Sequence, residues 1–444
     1  MVMTKQNNRP QRPPGPGGSP PPTIPTNPSP VSRPSPENGS AKTTFYSPFT
    51  SSFNSATAPT STYTLQGIKT NPYGGSGNES SYIITGTTGS PFGANVGGAV
   101  YVGAIDGNST SGGSGSGQWI NFNVPFDGYT GTSCYGADIL SPGTGPGGIG
   151  NLALVGTWTK NNQDGNNVIL GFYYEGSLDQ LEDASAAPSQ FKTFQAVTRN
   201  GDLADYTYLH SIDGGYAVGN FSTQQGYVGY FLNSGSDSGS YVYNPITNSQ
   251  VNAVYNDQYT FHTLFGIWLN KDNTYTVAGG GTTQALLEGY VEASQNLPGA
   301  VAQGLPQDAA FGRGMLADMD PITGIVNQAK YYNYLNDSSG EVFTHFQGIY
   351  YAGNGVYQVP FDTITSAGKF DIGIAYIKRQ DNGLFSDNAL WQTFTGTTAG
   401  TFTSNDSVAG AASVGALVNV NGSLTTFASI SETQAYLFAA NFLQ

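Results

Sequence analysis

The chain has 444 residues, enough for one large domain or two to three ordinary ones. Only 10% of them are charged, with 15 Lys and Arg against 29 Asp and Glu for a net charge of −14, while Gly reaches 61 and Pro 25. Soluble domains average roughly 25% charged residues and about 7% Gly, so polarity here must come from Ser, Thr, Asn, Gln and Gly. That argues against a helical bundle, and the scarcity of cations argues against nucleic-acid binding. The composition suits an all-β protein.

Residues 1–42 are a Pro/Ser/Gly/Asn tract with little to bury, read as a disordered tail or tether. The tract holds Lys5, Arg9, Arg12 and Arg33 but no apolar run, so a secretory signal is not expected. The expected location is extracellular or at the cell surface by another export route, with the cytoplasm or a virion as alternatives. No run of about 18 apolar residues exists, which argues against membrane insertion. Cys134 is the only cysteine, so no intrachain disulfide forms. The apolar end, Ala435–Gln444, reads as a final strand.

From Thr43 onward, short aromatic and β-branched runs alternate with turn clusters, the mark of strands. The best helix candidate, Leu178–Phe194, is cut by Pro188. Repetition organises the rest. Each unit opens with an aromatic/Thr strand ending near a marker residue, followed by Tyr-x-Val-x-Gly or an equivalent, then two more strands. The markers are Gly67, Gly136, Ser211, Gly266, Gly348 and Gly410. They recur about every 69 residues, longer than the roughly 40–50 of WD40 or kelch blades.

In the third unit the later strands are expected at Gly226–Phe231 and Tyr241–Pro245. In the fourth they are expected at Leu287–Val291 and Ala329–Leu335, around an insertion at 294–328. The sixth unit lacks a strand, and Thr44–Thr50 has no unit of its own. Pairing the two would close a ring without an exposed sheet edge. The expected fold is therefore a six-bladed β-propeller over residues 43–444, closed by an N-terminal strand. Seven blades, with extra strands in the insertion, are the alternative.

Motifs for phosphate binding, zinc proteolysis and serine hydrolysis are absent from the sequence. His210, His262 and His345 fall in three consecutive first strands. Strand alternation puts His262 opposite the other two, so a shared metal site is not expected, and His210 and His345 are candidate channel-lining or ligand-binding residues. Trp119, Trp268 and Trp391 are candidate sugar-stacking residues, with a packing role as the competing reading. Asp213 and other turn acids are explained by turn geometry alone. Asp318 and Asp320, two residues apart in a loop, are candidate Ca²⁺ ligands through hard oxygens.

The repeated units from about residue 44 to 444 resemble bacterial β-propeller repeat proteins of cell surfaces and extracellular matrices. The resemblance rests on strand pattern and carries over no functional residue. With the composition, it implies a non-enzymatic surface or matrix protein that recognises glycan or protein. A glycoside hydrolase or lyase is the first alternative, with Asp205, Asp257, Glu341 and Asp406 as carboxylates near first strands and a pair about 5–9 Å apart required. A virion or assembly subunit is the second, and an oligomer is compatible with either.

Overall fold

A computed structural model describes residues 39–41, 43–46, 63–73, 81–88, 96–104, 117–162, 165–223, 238–255, 259–283, 313–336, 343–364, 370–394, 407–409, 417–420, 423–431 and 436–441. These residues are almost entirely strands, and the fold is an all-β propeller. The first unit pairs Tyr63–Asn71, Ser81–Thr88, Gly97–Ala104 and Gln118–Phe122 antiparallel in chain order. The second comprises Tyr129–Pro142, Ile149–Asn161, Asn167–Gly176 and Phe191–Phe194. The third follows with Tyr206–Asp213, Tyr216–Ser222, Ser238–Asn244 and Ser249–Asn252. A single parallel pair, Tyr206 with Ile169, joins the second and third.

The fourth unit uses Tyr259–Leu269, Tyr275–Thr283, Arg313–Met319 and Ile325–Tyr332. In the fifth, Phe343–Phe346 and Tyr350–Gly353 both pair with Val356–Ile364, followed by Phe370–Lys378 and Leu390–Phe394. The last group places Ser423–Ser431 beside Tyr436–Asn441 and packs onto the first strand of the first unit. Thr43–Tyr46 completes it, with Phe45 opposite Phe438, so the N-terminal strand closes the array onto the chain's last strand.

Three assignments change. The third unit takes its third strand from Ser238–Asn244, and the fourth takes its own from Arg313–Met319, inside the expected insertion. Gly226–Phe231 and Leu287–Val291 lie outside the described residues. Gly39–Ala41, expected within the tail, pairs in parallel with Leu390–Phe394. The helix candidate contributes one capped turn, Leu178–Glu182, where Ser177 and Gln180 form a capping box.

The apolar core lies in slabs between neighbouring units. Ile83 and Val100 of the first unit join Leu154 and Phe172 of the second, and Val218 of the third joins Leu264 and Val277 of the fourth. Each fully buried side chain of this size stabilises the fold by roughly 1.5–3 kcal/mol relative to exposure.

Both repeated glycines have a steric cause. In the first four units, the first strand carries a bulge at the residue before the marker: Gln66, Tyr135, His210 and Phe265 are skipped by the pairing register. The bulge drives a first-strand carbonyl toward the second strand. A Cβ at Gly156, Gly219 or Gly279 would collide with the carbonyl oxygens of Ser133, Tyr208 and Thr263 respectively. The marker glycines serve a second approach, between the first strands of adjoining units. A Cβ on Gly266 would lie 2.8 Å from the backbone at Gly348 and Ile349, and one on Gly136 would lie 3.0 Å from Ser211 Cα. First strands thus touch backbone to backbone, which lets their flanking side chains reach across units.

Candidate active site

Two levels of side chains flank these contacts. At the bulge level, His210 stacks on Phe265 with centroids 4.0 Å apart, Tyr135 meets its edge at 5.2 Å, and His345 meets Phe265 edge-on at 4.5 Å. His345 Nε2 bonds Thr263 Oγ1 at 2.9 Å, whereas neither ring nitrogen of His210 has a hydrogen-bond partner among the described residues. Burial lowers both imidazoles to about 3, and the His210 charge adds to the effect on His345. Both histidines are buried neutral, inside the aromatic packing and away from any ligand surface. The side chain of His262 lies outside the described residues.

Two residues beyond the markers lies a different level. Lys69, Asp138 and Asp213 occupy this position in the first three units, Trp268 and Tyr350 in the next two. Lys69 Nζ donates to Asp138 Oδ1 and to Asp213 Oδ1, both at 2.6 Å. Because both oxygens share that nitrogen, they lie within about 5 Å of each other. The second oxygen of Asp138 accepts from Gly214 N–H at 2.9 Å, and that of Asp213 from Leu269 N–H at 2.6 Å. The carboxylates keep 12% and 15% exposure. Trp268, adjacent to Leu269, meets the Tyr350 ring at 5.4 Å.

One cation faces two carboxylates, so the cluster is one negative charge in excess. Burial raises the Asp138 carboxyl above the usual carboxylate range; the Lys69 charge opposes this and the Asp213 charge adds to it. Burial alone would lower the Lys69 ammonium, but the two carboxylates override it and hold it protonated. The arrangement places a carboxyl inclined to carry a proton beside a second carboxylate, with aromatic faces next along the ring.

The sequence candidates are distributed differently. Trp268 is half-buried at this level, and Trp119 is half-buried in an outer strand against Tyr101. Trp391, 1% exposed, is core packing among Tyr334, Phe346 and Phe361, which removes it from any ligand surface. Asp318 is not free for calcium: Arg379 grips both its oxygens at 2.6 and 2.5 Å, and Gln328 donates to one. Asp320 caps its own turn by accepting from Ile322 and Thr323. Among the described residues, no group of three His, Cys, Asp or Glu is gathered to hold a metal ion. Asp205 is exposed, and Asp257, Glu341 and Asp406 have no described side chain. A charge at the same offset from the marker in three successive units was the sequence signal for the carboxylate pair, and turn chemistry at Asp213 obscured it.

No family model and no curated protein matches the sequence. Among solved structures, the chain is similar to an exo-1,5-α-L-arabinanase from a bovine ruminal metagenomic library, at 9% identity over 66% of this chain and 89% of that one, with a TM-score of 0.31. A GH43_1 enzyme from Xanthomonas citri aligns at 9% identity over 90% of each chain, with a TM-score of 0.36. A GH43 β-xylosidase/α-arabinofuranosidase from a compost microbial metagenome, solved with xylotriose in a calcium-free form, aligns at 12% identity over 91% of this chain and 94% of that one, with a TM-score of 0.35. At such values no residue role passes between the chains. These neighbours are glycoside hydrolases, and the expectation of a non-enzymatic binding protein is corrected accordingly.

Proposed function

We propose that the protein is a six-bladed propeller glycoside hydrolase acting on a neutral polysaccharide, with Asp138 and Asp213 as its working carboxylates. The carrying observation is that two carboxylates from adjoining first strands share Lys69 Nζ at 2.6 Å each. The shared nitrogen puts these two oxygens no more than about 5 Å apart, short of the roughly 6.5–9.5 Å of inverting enzymes and on the side of the retaining spacing. Asp138, whose carboxyl is raised by burial, protonates the glycosidic oxygen as the bond to the anomeric carbon breaks. Asp213 attacks that carbon and forms a glycosyl ester. Water, deprotonated by Asp138, then hydrolyses the ester and regenerates both carboxyl groups. Lys69 Nζ holds Asp213 in place by donating to its Oδ1 at 2.6 Å, and Trp268 with Tyr350 offers apolar faces to the sugar ring. A polymer substrate implies an extracellular or cell-surface location.

The test is release of reducing ends from soluble xylan, arabinan and related neutral polymers by the full chain. Asp138→Asn and Asp213→Asn should each lower turnover by about 10²–10⁴-fold while the melting profile holds. An inactive wild-type chain across the panel, or folded variants with undiminished turnover, would remove the reading. Retention of anomeric configuration, followed by NMR, checks the carboxylate spacing.

A further inference from the structure

Away from the Lys69–Asp138–Asp213 cluster, the outer strands of the second and third units line two adjoining open hollows of about 430 and 500 Å³ that share Thr193 and Gln195. Both are within the usual size of ligand sites. They lie beside Phe191–Phe194, three strands out from the strand that carries Asp138, or roughly 14 Å at the spacing of paired strands. One hollow has an aromatic wall in the half-buried Phe126, backed at 4.9 Å by the buried Trp158, whose Nε1 donates to Thr193 Oγ1 at 2.9 Å.

The other hollow is lined by amides fixed at one end. Gln195 Nε2 donates to Ala204 O at 2.8 Å, Asn248 Oδ1 accepts from Tyr243 OH at 2.8 Å, and Asn252 Oδ1 accepts from Gln250 Nε2 at 2.7 Å. Gln250 also clamps both backbone groups of Val197 at 2.8 Å. Each internal bond sets an amide's orientation and leaves its other half unengaged: Gln195 Oε1, Asn248 Nδ2 and Asn252 Nδ2 hold no hydrogen bond within the described residues. Oriented acceptors and donors of this kind match hydroxyl groups, which both donate and accept. Only Asp127 and Lys160, of opposite sign, bring charge to the lining.

We infer that this groove is a second carbohydrate site, which holds a neutral polysaccharide chain at the propeller's outer edge without cleaving it. The aromatic wall takes the C–H face of a sugar ring, and the fixed amides read hydroxyls farther along the chain. The inference stands apart from the hydrolase reading, because it concerns retention of polymer and involves neither Asp138 nor Asp213.

Affinity gel electrophoresis of the full chain tests it, with xyloglucan, arabinan and glucomannan as neutral probes and polygalacturonate as the anionic control. At least one neutral gel should retard the chain, and polygalacturonate should not. Val197→Arg fills the groove from an exposed position whose hydrogen bonds are all backbone. It should weaken retardation at least tenfold, as should Asn248→Gly, which keeps the positive φ and removes the amide. Asp213→Asn should leave retardation unchanged. The inference is overturned if no neutral polymer retards the wild type, if polygalacturonate retards it equally, if both groove variants migrate as wild type, or if Asp213→Asn abolishes retardation.

Discussion

The Lys69–Asp138–Asp213 cluster and the Arg379–Asp318 pair both bridge neighbouring units, and they resolve their charge in opposite ways. Arg379 meets one carboxylate in a two-pronged grip, stacks over Phe385 at 4.4 Å, and gives its remaining contacts to Thr276, Tyr357 and Gly383 O. Its charges cancel and its donors are engaged, the signature of a clasp. Lys69 meets two carboxylates, which leaves a negative charge over and a proton to be placed. The lesson is that a closed, balanced ion pair holds units together, whereas an unbalanced one can move protons.

The comparison can be broken at its foundation first. Gly279→Ala puts a methyl group onto the Thr263 carbonyl oxygen and should prevent the fourth unit from pairing, read as loss of soluble, cooperatively unfolding protein. A folded, stable variant would mean that the bulge is not enforced by the second-strand glycine. Next in size is Arg379→Met, which strands the largely buried Asp318 carboxylate. It should lower the unfolding free energy by about 3–5 kcal/mol in denaturant titrations, while the folded fraction keeps its turnover. Asp213→Asn should do the reverse, and if the two variants behaved alike the distinction between clasp and site would fail.

A smaller effect separates the bulge level from both clusters. His210 and His345 have folded pKa values near 3 against 6.5 for the exposed group, so the unfolded chain binds more protons between those limits. Stability should therefore fall as pH drops below about 6.5 and continue falling toward pH 3. His210→Phe, which keeps the stack on Phe265, should flatten that dependence when denaturation midpoints at pH 7 and pH 4.5 are compared. The smallest effect belongs to Lys330–Asp387, an exposed pair at 2.6 Å. Lys330→Met should leave the midpoint unchanged, because solvent screens such pairs.

Much of the scaffold was legible because the repeat carries a steric message. The glycines at 156, 219 and 279 and the markers at 136 and 266 recur because backbones crowd at those positions in each unit. The lone N-terminal strand was legible because a sheet edge needs a partner. Strand assignment failed where the connections are long: Gly226–Phe231 resembles a third strand, but Ser238–Asn244 pairs in that place because it lies within reach of its neighbour in register. Trp391 was ambiguous by nature, since stacking on a sugar and filling a wedge between sheets call for the same side chain.

The sequence by itself determined the strand-rich class, the repeat with its bulge and glycines, and the pairing of the chain's two ends, all of which follow from local periodicity and backbone sterics. Only the tertiary structure decided which charged residues meet. Lys69, Asp138 and Asp213 are separated by 69 and 75 positions along the chain, and they converge because three first strands lie side by side, the second and third in backbone contact at Gly136 and Ser211. The same packing decided that Asp318 belongs to Arg379, 61 residues away, since a buried carboxylate is stabilised by the nearest cation that the fold delivers.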